Sequence, residues 1–330
     1  MALDRPSTAK SAERHPVTPE GYAKLALAAL IVFVLIAVVG AAVRLTGSGL
    51  GCADWPNCSD SFIEFGTPNQ AMEQANRFLS GIGAIVAAGM VTVAARRRRP
   101  YRQDLFRLSL LLIAGVVANI PLGGITVLSG LHPAAVGSHF VLGMAMIGVS
   151  TVLLWRSRHP EGPRVSKVDP ITLNLSRVMV LAMMSLMLTG PVVTGSGPHA
   201  GDIEAKRFGF AVPDVARIHS INMWIFLICA TVLMFRMRTL VHDQDLFRRG
   251  YALLGVIVVQ GGIGYAQYEM GIPAWLVILH IVGSSLVVIA TLWFYLGLFD
   301  VQSLEDLECE ISTSQGAGHP APTPQPAGSR

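Results

Sequence analysis

The chain has 330 residues, of which 52% are hydrophobic and only 14% charged, with a formal net charge of +4 at pH 7. Its mean hydropathy is +0.52. Soluble domains are roughly one quarter charged, so the composition excludes an ordinary soluble domain and indicates a membrane protein.

A polar head, residues 1–21, is too poor in apolar side chains to fold and is expected to be disordered. Eight apolar runs follow, near 22–43, 72–95, 106–128, 133–155, 172–195, 212–235, 249–270 and 273–298. Each can cross about 30 Å of hydrocarbon as a helix. None alternates polar with apolar residues as a barrel strand does, and backbone polar groups must satisfy one another in lipid, so the fold class is an all-α membrane protein with eight transmembrane helices. The first run exceeds the apolar core of about 7–15 residues in a signal peptide and is read as a span.

That first span ends in "AAVRLTGSGLGCADWPNCSD", residues 41–60, which places Arg44, a glycine-rich turn, Cys52 and Cys58 directly beyond the apolar run. Arg96, Arg97, Arg98, Arg99, Arg102 and Arg107 lie between spans two and three; Arg156, Arg158, Arg164 and Lys167 between four and five; Arg236, Arg238, Arg248 and Arg249 between six and seven. The positive-inside rule makes these loops, and hence both termini, cytoplasmic in a multi-pass plasma-membrane protein. The same rule accounts for the pI near 9.0 without a nucleic-acid partner. The cysteine loop then faces the oxidising side. A disulfide is permitted there; a metal half-site would lack an accompanying histidine, and "NCS" also matches a glycosylation sequon.

"AAVRLTGSG" closing span one is echoed by "GPVVTGSG" closing span five, and residues 122–143 have a loose counterpart in 260–285. The chain therefore reads as a duplicated four-helix unit: a first half at 22–156, a cytoplasmic linker at 157–171, a second half at 172–298 and a disordered cytoplasmic tail at 299–330. Both copies begin on the same side, which predicts two pseudo-symmetric four-helix bundles.

His139, His219 and His280 lie six or seven residues from the outer ends of spans four, six and eight. At 1.5 Å per residue this puts all three about 10 Å deep. Intramembrane ionisable groups are costly and face the bundle interior, and imidazoles on facing helices are common haem-iron ligands. A pair from spans six and eight could clamp one haem in the second half. By repeat symmetry the partner of His219 in span two is Asn76, in "MEQANRFLSG". Glu73 and Arg77 stand one helical turn apart beside it, the arrangement of an intrahelical ion pair.

Over residues 22–298 the sequence resembles the haem A synthase family, through "VRLTGSGLGCADWPNC", "EQANR", "GGITVLSG", "TGSGPHAGD" and the spaced histidines. The resemblance implies oxidation of the C8 methyl group of haem O to a formyl group by successive hydroxylations. It assigns haem O as substrate to the first half, with His139 as one ligand and Glu73 as the acidic residue of a Glu-x-x-His-Arg pattern. It assigns a haem b to the second half, on His219 and His280. Membrane lipid, a haem O synthase, an electron donor and a homo-oligomer are the partners it implies, and it suggests a redox role for Cys52 and Cys58. Asn76 departs from the pattern by standing where a second histidine is expected; it either leaves the iron open for oxygen chemistry or hydrogen-bonds across helices. Arg77 is read as a partner of Glu73 or of a propionate. Arg44 and Arg217, near outer helix ends, would meet propionates or else snorkel. The alternative function is a non-catalytic b-type cytochrome or a haem-handling protein.

Overall fold

The computed structural model describes residues 16–59, 61–241, 243–304 and 306. The elements run α1 Pro19–Leu45, α2 Pro68–Arg97, α3 Gln103–Leu128, α4 Pro133–Ser157, β1 Arg164–Ser166, α5 Pro170–Ser196, α6 Val212–Leu240, α7 Gln244–Glu269, α8 Ala274–Gly297 and β2 Phe299–Val301. All eight helices are long and apolar enough to cross a membrane. Their starts are written locally. Thr18, Thr67 and Asp169 accept hydrogen bonds from first-turn N–H groups, and each precedes a proline at the start of its helix. Thr67 and Gln70 form a reciprocal capping box.

Packing divides the helices into two rings. In the first, α1 packs on α2 and α4, and α3 packs on α2 and α4; in the second, α5 packs on α6 and α8, and α7 packs on α6 and α8. The rings meet where α4 touches α5 and α8, and where α1 touches α8. This neighbour pattern is unchanged when each helix of one ring is exchanged for its counterpart, as a parallel duplication requires. Small buried residues, Ala26 and Ala29 on α1 and Ala87, Ala88, Ala94 and Ala95 on α2, lie in the core of the first ring. Small side chains let helix backbones approach closely where lipid leaves no hydrophobic driving force between them. Large apolar side chains such as Leu35, Leu79, Val117 and Leu181 point outward.

The likeness between the rings has a register that the identical triplets do not give. Matching "GGI" at 123–125 with "GGI" at 261–263 implies a displacement of 138 residues. The helix ends are instead displaced by 141 (128 to 269, and 133 to 274). The left-handed turn residues agree: Gly130 and Leu131 have φ of 65° and 53°, and Gly271 and Ile272 have 76° and 61°.

Residues 1–15 and 307–330, the bulk of the expected disordered head and tail, lie outside the described residues. Inside them, β2 occupies the first residues assigned to the tail and pairs antiparallel with β1 in the linker, Arg164 opposite Val301 and Ser166 opposite Phe299. Strands of three residues leave no period in a sequence, so the sequence carries no signal for this pairing.

Candidate functional site

At the end of the bundle that carries the cysteine loop, the even-numbered helices all begin, and each presents a polar side chain six to eight residues inside: Asn76 on α2, His139 on α4, His219 on α6 and His280 on α8. In each ring these helices stand diagonally across from one another. On the second diagonal the His219 and His280 rings approach to 6.4 Å between centroids, inclined by 65°. A metal ion held by two imidazole nitrogens at about 2.0–2.1 Å each sets ring centres about 6 Å apart. The separation of the rings matches that span.

The surroundings fix how His219 can ligate. Its Nδ1 lies 2.9 Å from Thr189 Oγ1, while that hydroxyl is 3.0 Å from the Ser185 carbonyl oxygen. A hydroxyl has one proton; donated to the carbonyl, it leaves the oxygen to accept from His219 Nδ1–H. In the neutral ring this leaves the lone pair on Nε2, the tautomer a ligand through Nε2 needs. Asn222 Nδ2 lies 3.5 Å from the same hydroxyl. His280 is held through its main chain, whose carbonyl accepts from Gln260 Nε2 at 2.8 Å and from Ser284 Oγ at 2.8 Å. Its Nδ1 is buried without a hydrogen-bond partner. Among the described residues no three His, Cys, Asp or Glu side chains cluster as a metal site. A two-imidazole centre therefore suits a metal that brings its own in-plane ligands, as haem iron does.

Glycines seat the imidazoles. An ideal Cβ would stand 3.2 Å from His139 Cε1 if built on Gly123, 3.2 Å from His280 Cε1 on Gly264, and 3.4 Å from His219 Cε1 on Gly190. Gly123 and Gly264 are counterparts in the 141-residue register, so His139 sits in the first ring as His280 sits in the second. The His139 Nδ1 is likewise buried, with the Asn119 main chain as its polar neighbour. Opposite it the first ring offers no imidazole: Asn76 Oδ1 accepts from Ser80 Oγ of its own helix at 3.0 Å, so the hydrogen bond expected across helices is absent among the described residues.

Glu73 and Arg77 are built into the cysteine loop. Glu73 is 3% exposed; its Oε2 accepts from Cys52 N–H at 2.7 Å, and its Oε1 accepts from Arg77 Nη2 at 2.6 Å and Nε at 3.1 Å. Arg77 also donates to the carbonyls of Asn57 and Asp54, at 2.9 and 3.0 Å. Gln74 Nε2 donates to Phe62 O at 3.0 Å. Cys52 and Cys58 are joined by a disulfide and fully buried, with Cα atoms 4.5 Å apart. A helix-borne ion pair and the loop thus form one unit over the first ring.

The two other arginines are placed differently. Arg44 Nη2 donates to Thr194 O of α5 at 3.2 Å, so it crosses the seam between the rings, with Nε buried and unpartnered. Arg217 is exposed and has no ion-pair partner among the described residues. Sequence reasoning missed Thr189, Asn222 and Gln260, whose residue types are unremarkable in a span until the fold sets them beside the histidines.

The fold and the site define a class: an eight-helix membrane protein with two four-helix rings and an imidazole pair suited to haem iron in one of them. A family model described as COX15-CtaA, cytochrome oxidase assembly protein, matches residues 23–71 and 62–198, and the chain belongs to this family. A protein named heme A synthase from Shewanella oneidensis is 25% identical over 314 residues, covering 79% of this chain and 91% of its own length. One of the same name from Bacillus pumilus is 24% identical over 206 residues, 61% of this chain and 66% of its own. Another, from Lysinibacillus sphaericus, is 32% identical over 131 residues, 39% of this chain and 42% of its own. The family-model match ends before His219 and His280, so the second-ring site stands on its own geometry.

Proposed function

We propose that the chain acts in haem A biosynthesis as a haem A synthase, oxidising the C8 methyl group of haem O to formyl in the first ring, with a haem b that the second ring would hold. The observation that carries this reading is the contrast between diagonals: two imidazoles 6.4 Å apart in the second ring, and one imidazole opposite an asparagine in the first. The family membership and the names of the relatives support it.

His219 and His280 would hold the haem b iron, a bound haem b supplying one-electron redox chemistry. Thr189 holds His219 in its ligating tautomer, and Gln260 and Ser284 anchor the His280 main chain. In the first ring His139 would hold the substrate's iron on one face, and Asn76 offers no comparable ligand on the other. Each hydroxylation of the methyl group moves protons, releasing two with two electrons if the oxygen atom comes from water and taking up two with two electrons if it comes from dioxygen, so a group that holds or moves a proton near the reacting carbon is required; Glu73 is the candidate, and Arg77 balances its charge. Arg44 and Arg217 are assigned to propionates. The arginine-rich loops and both termini are placed in the cytoplasm and the cysteine loop outside. A haem O synthase would supply the substrate.

The test is the pigment extracted after expression with haem O available. Hydroxylated haem or haem A supports the reading; unchanged haem O beside an intact second-ring spectrum returns the protein to the electron carriers.

A further inference from the structure

The two rings differ in what closes the seam between their second and third helices. In the second ring, the residue 141 positions after Gly124 is Tyr265 on α7, whose hydroxyl accepts from Trp224 Nε1 of α6 at 3.0 Å. Both partners are borne on helices. In the first ring the corresponding place on α3 is Gly124, which is buried although it has no side chain. What buries it is Trp55 of the cysteine loop: a Cβ built on Gly124 would stand 2.6–2.9 Å from Trp55 ring atoms Cδ2, Cε3 and Cε2. The neighbours of Trp55 in the loop are held on α2, since Asp54 and Asn57 accept from Arg77. The loop therefore bridges α2 and α3, with its indole laid on the residue next to Gly123, where His139 rests.

We propose that Trp55 is a detachable plug in the α2–α3 seam, and that withdrawing it opens a side entrance from the bilayer to the His139 site for an apolar, porphyrin-bearing substrate. Gly124 is the seat that only a residue without a side chain can provide, and Glu73, Arg77 and the disulfide are the latch. A resident cofactor needs no such door: in the second ring the same seam is spanned by Tyr265 and Trp224, both borne on the helices themselves and not on a loop. This inference rests on the reading of the first ring as the substrate site.

The experiment follows haem O uptake by the holoprotein in lipid nanodiscs, by stopped-flow absorbance, counting only the Soret change that His139→Ala removes. The second-ring haem spectrum reports folding in every variant. Trp55→Ala should speed both uptake and release about tenfold or more, since a steric plug is removed with the ligands intact. Gly124→Ala should move both rates the same way, Trp55→Phe less, and Tyr265→Phe not at all. Uptake and release within twofold of wild type in both Trp55→Ala and Gly124→Ala, with the second-ring spectrum intact, overturn the plug. Absence of any His139-dependent change in the wild-type protein overturns the substrate assignment itself, and the plug with it.

Discussion

The two rings share a helix order, a neighbour pattern and a 141-residue register between their third and fourth helices, and they part company in the side chains at one depth. The second ring sets two imidazoles close together, inclined edge to face, and braces each with polar partners from adjacent helices. The first keeps one imidazole, replaces the other by Asn76 and covers itself with a loop tied to Glu73 and Arg77. On the proposed reading, one scaffold used twice yields a site that holds a group permanently and a site that admits, processes and releases one. The difference lies in about half a dozen residues.

The largest expected effect removes the second site from the comparison. His219→Ala or His280→Ala should abolish the low-spin b-type spectrum of the purified protein, because one imidazole cannot maintain a two-imidazole centre. Persistence of that spectrum in both variants would move the resident haem elsewhere.

Next in size is Glu73→Gln, which keeps the shape of the side chain and removes its charge and its proton chemistry. Haem O conversion should fall by about 10² or more while the second-ring haem remains. Conversion at the wild-type rate would leave Glu73 only its structural task of holding Cys52 N–H and Arg77.

Replacing Cys52 and Cys58 by serine opens the loop that carries Trp55. Loop-closure entropy over this short span is worth about 2 kcal/mol, so amide exchange across residues 51–59 should accelerate while helix α2 beyond Arg77 stays protected. Unchanged exchange in the loop would assign its order to Glu73 and Arg77 alone.

The smallest effect belongs to a contact away from both sites. Asp169 caps α5 by accepting from Ile171 and Thr172 N–H groups, and its carboxyl is held down at about 2, first by the Thr172 hydroxyl and then by Arg236. A carboxyl lowered from about 3.9 contributes stability that is fully present above that value and lost as pH falls through the folded value. Asp169→Ala should therefore lower stability, as cap removals do, by the same amount at pH 6 and pH 8. A cost that differs between those two pH values would assign the effect to another titrating group.

Much of this was legible in the sequence. The eight spans fall within a few residues of the helices because a run of apolar residues long enough to cross lipid admits few other structures. His139, His219 and His280 stand out in the sequence by their common depth, and Asn76 by repeat symmetry. The register was not, because the two "GGI" triplets are identical and closer to the eye than the true correspondence. The signal that gives it is the spacing from turn glycine to histidine, nine residues from Gly130 to His139 and nine from Gly271 to His280. Trp55 on Gly124 could not be read at all, since a loop residue and a helix glycine 69 positions apart carry no local pattern linking them.

The contrast between a closed and an open iron is tested most directly by carbon monoxide. Protein loaded with haem in both rings and reduced with dithionite should bind one carbon monoxide per chain, at the haem that His139→Ala removes, because the His219–His280 centre has no free position. Asn76→His should reduce that binding by offering the first-ring iron a second imidazole. Binding of two molecules per chain, or of none, would contradict the account.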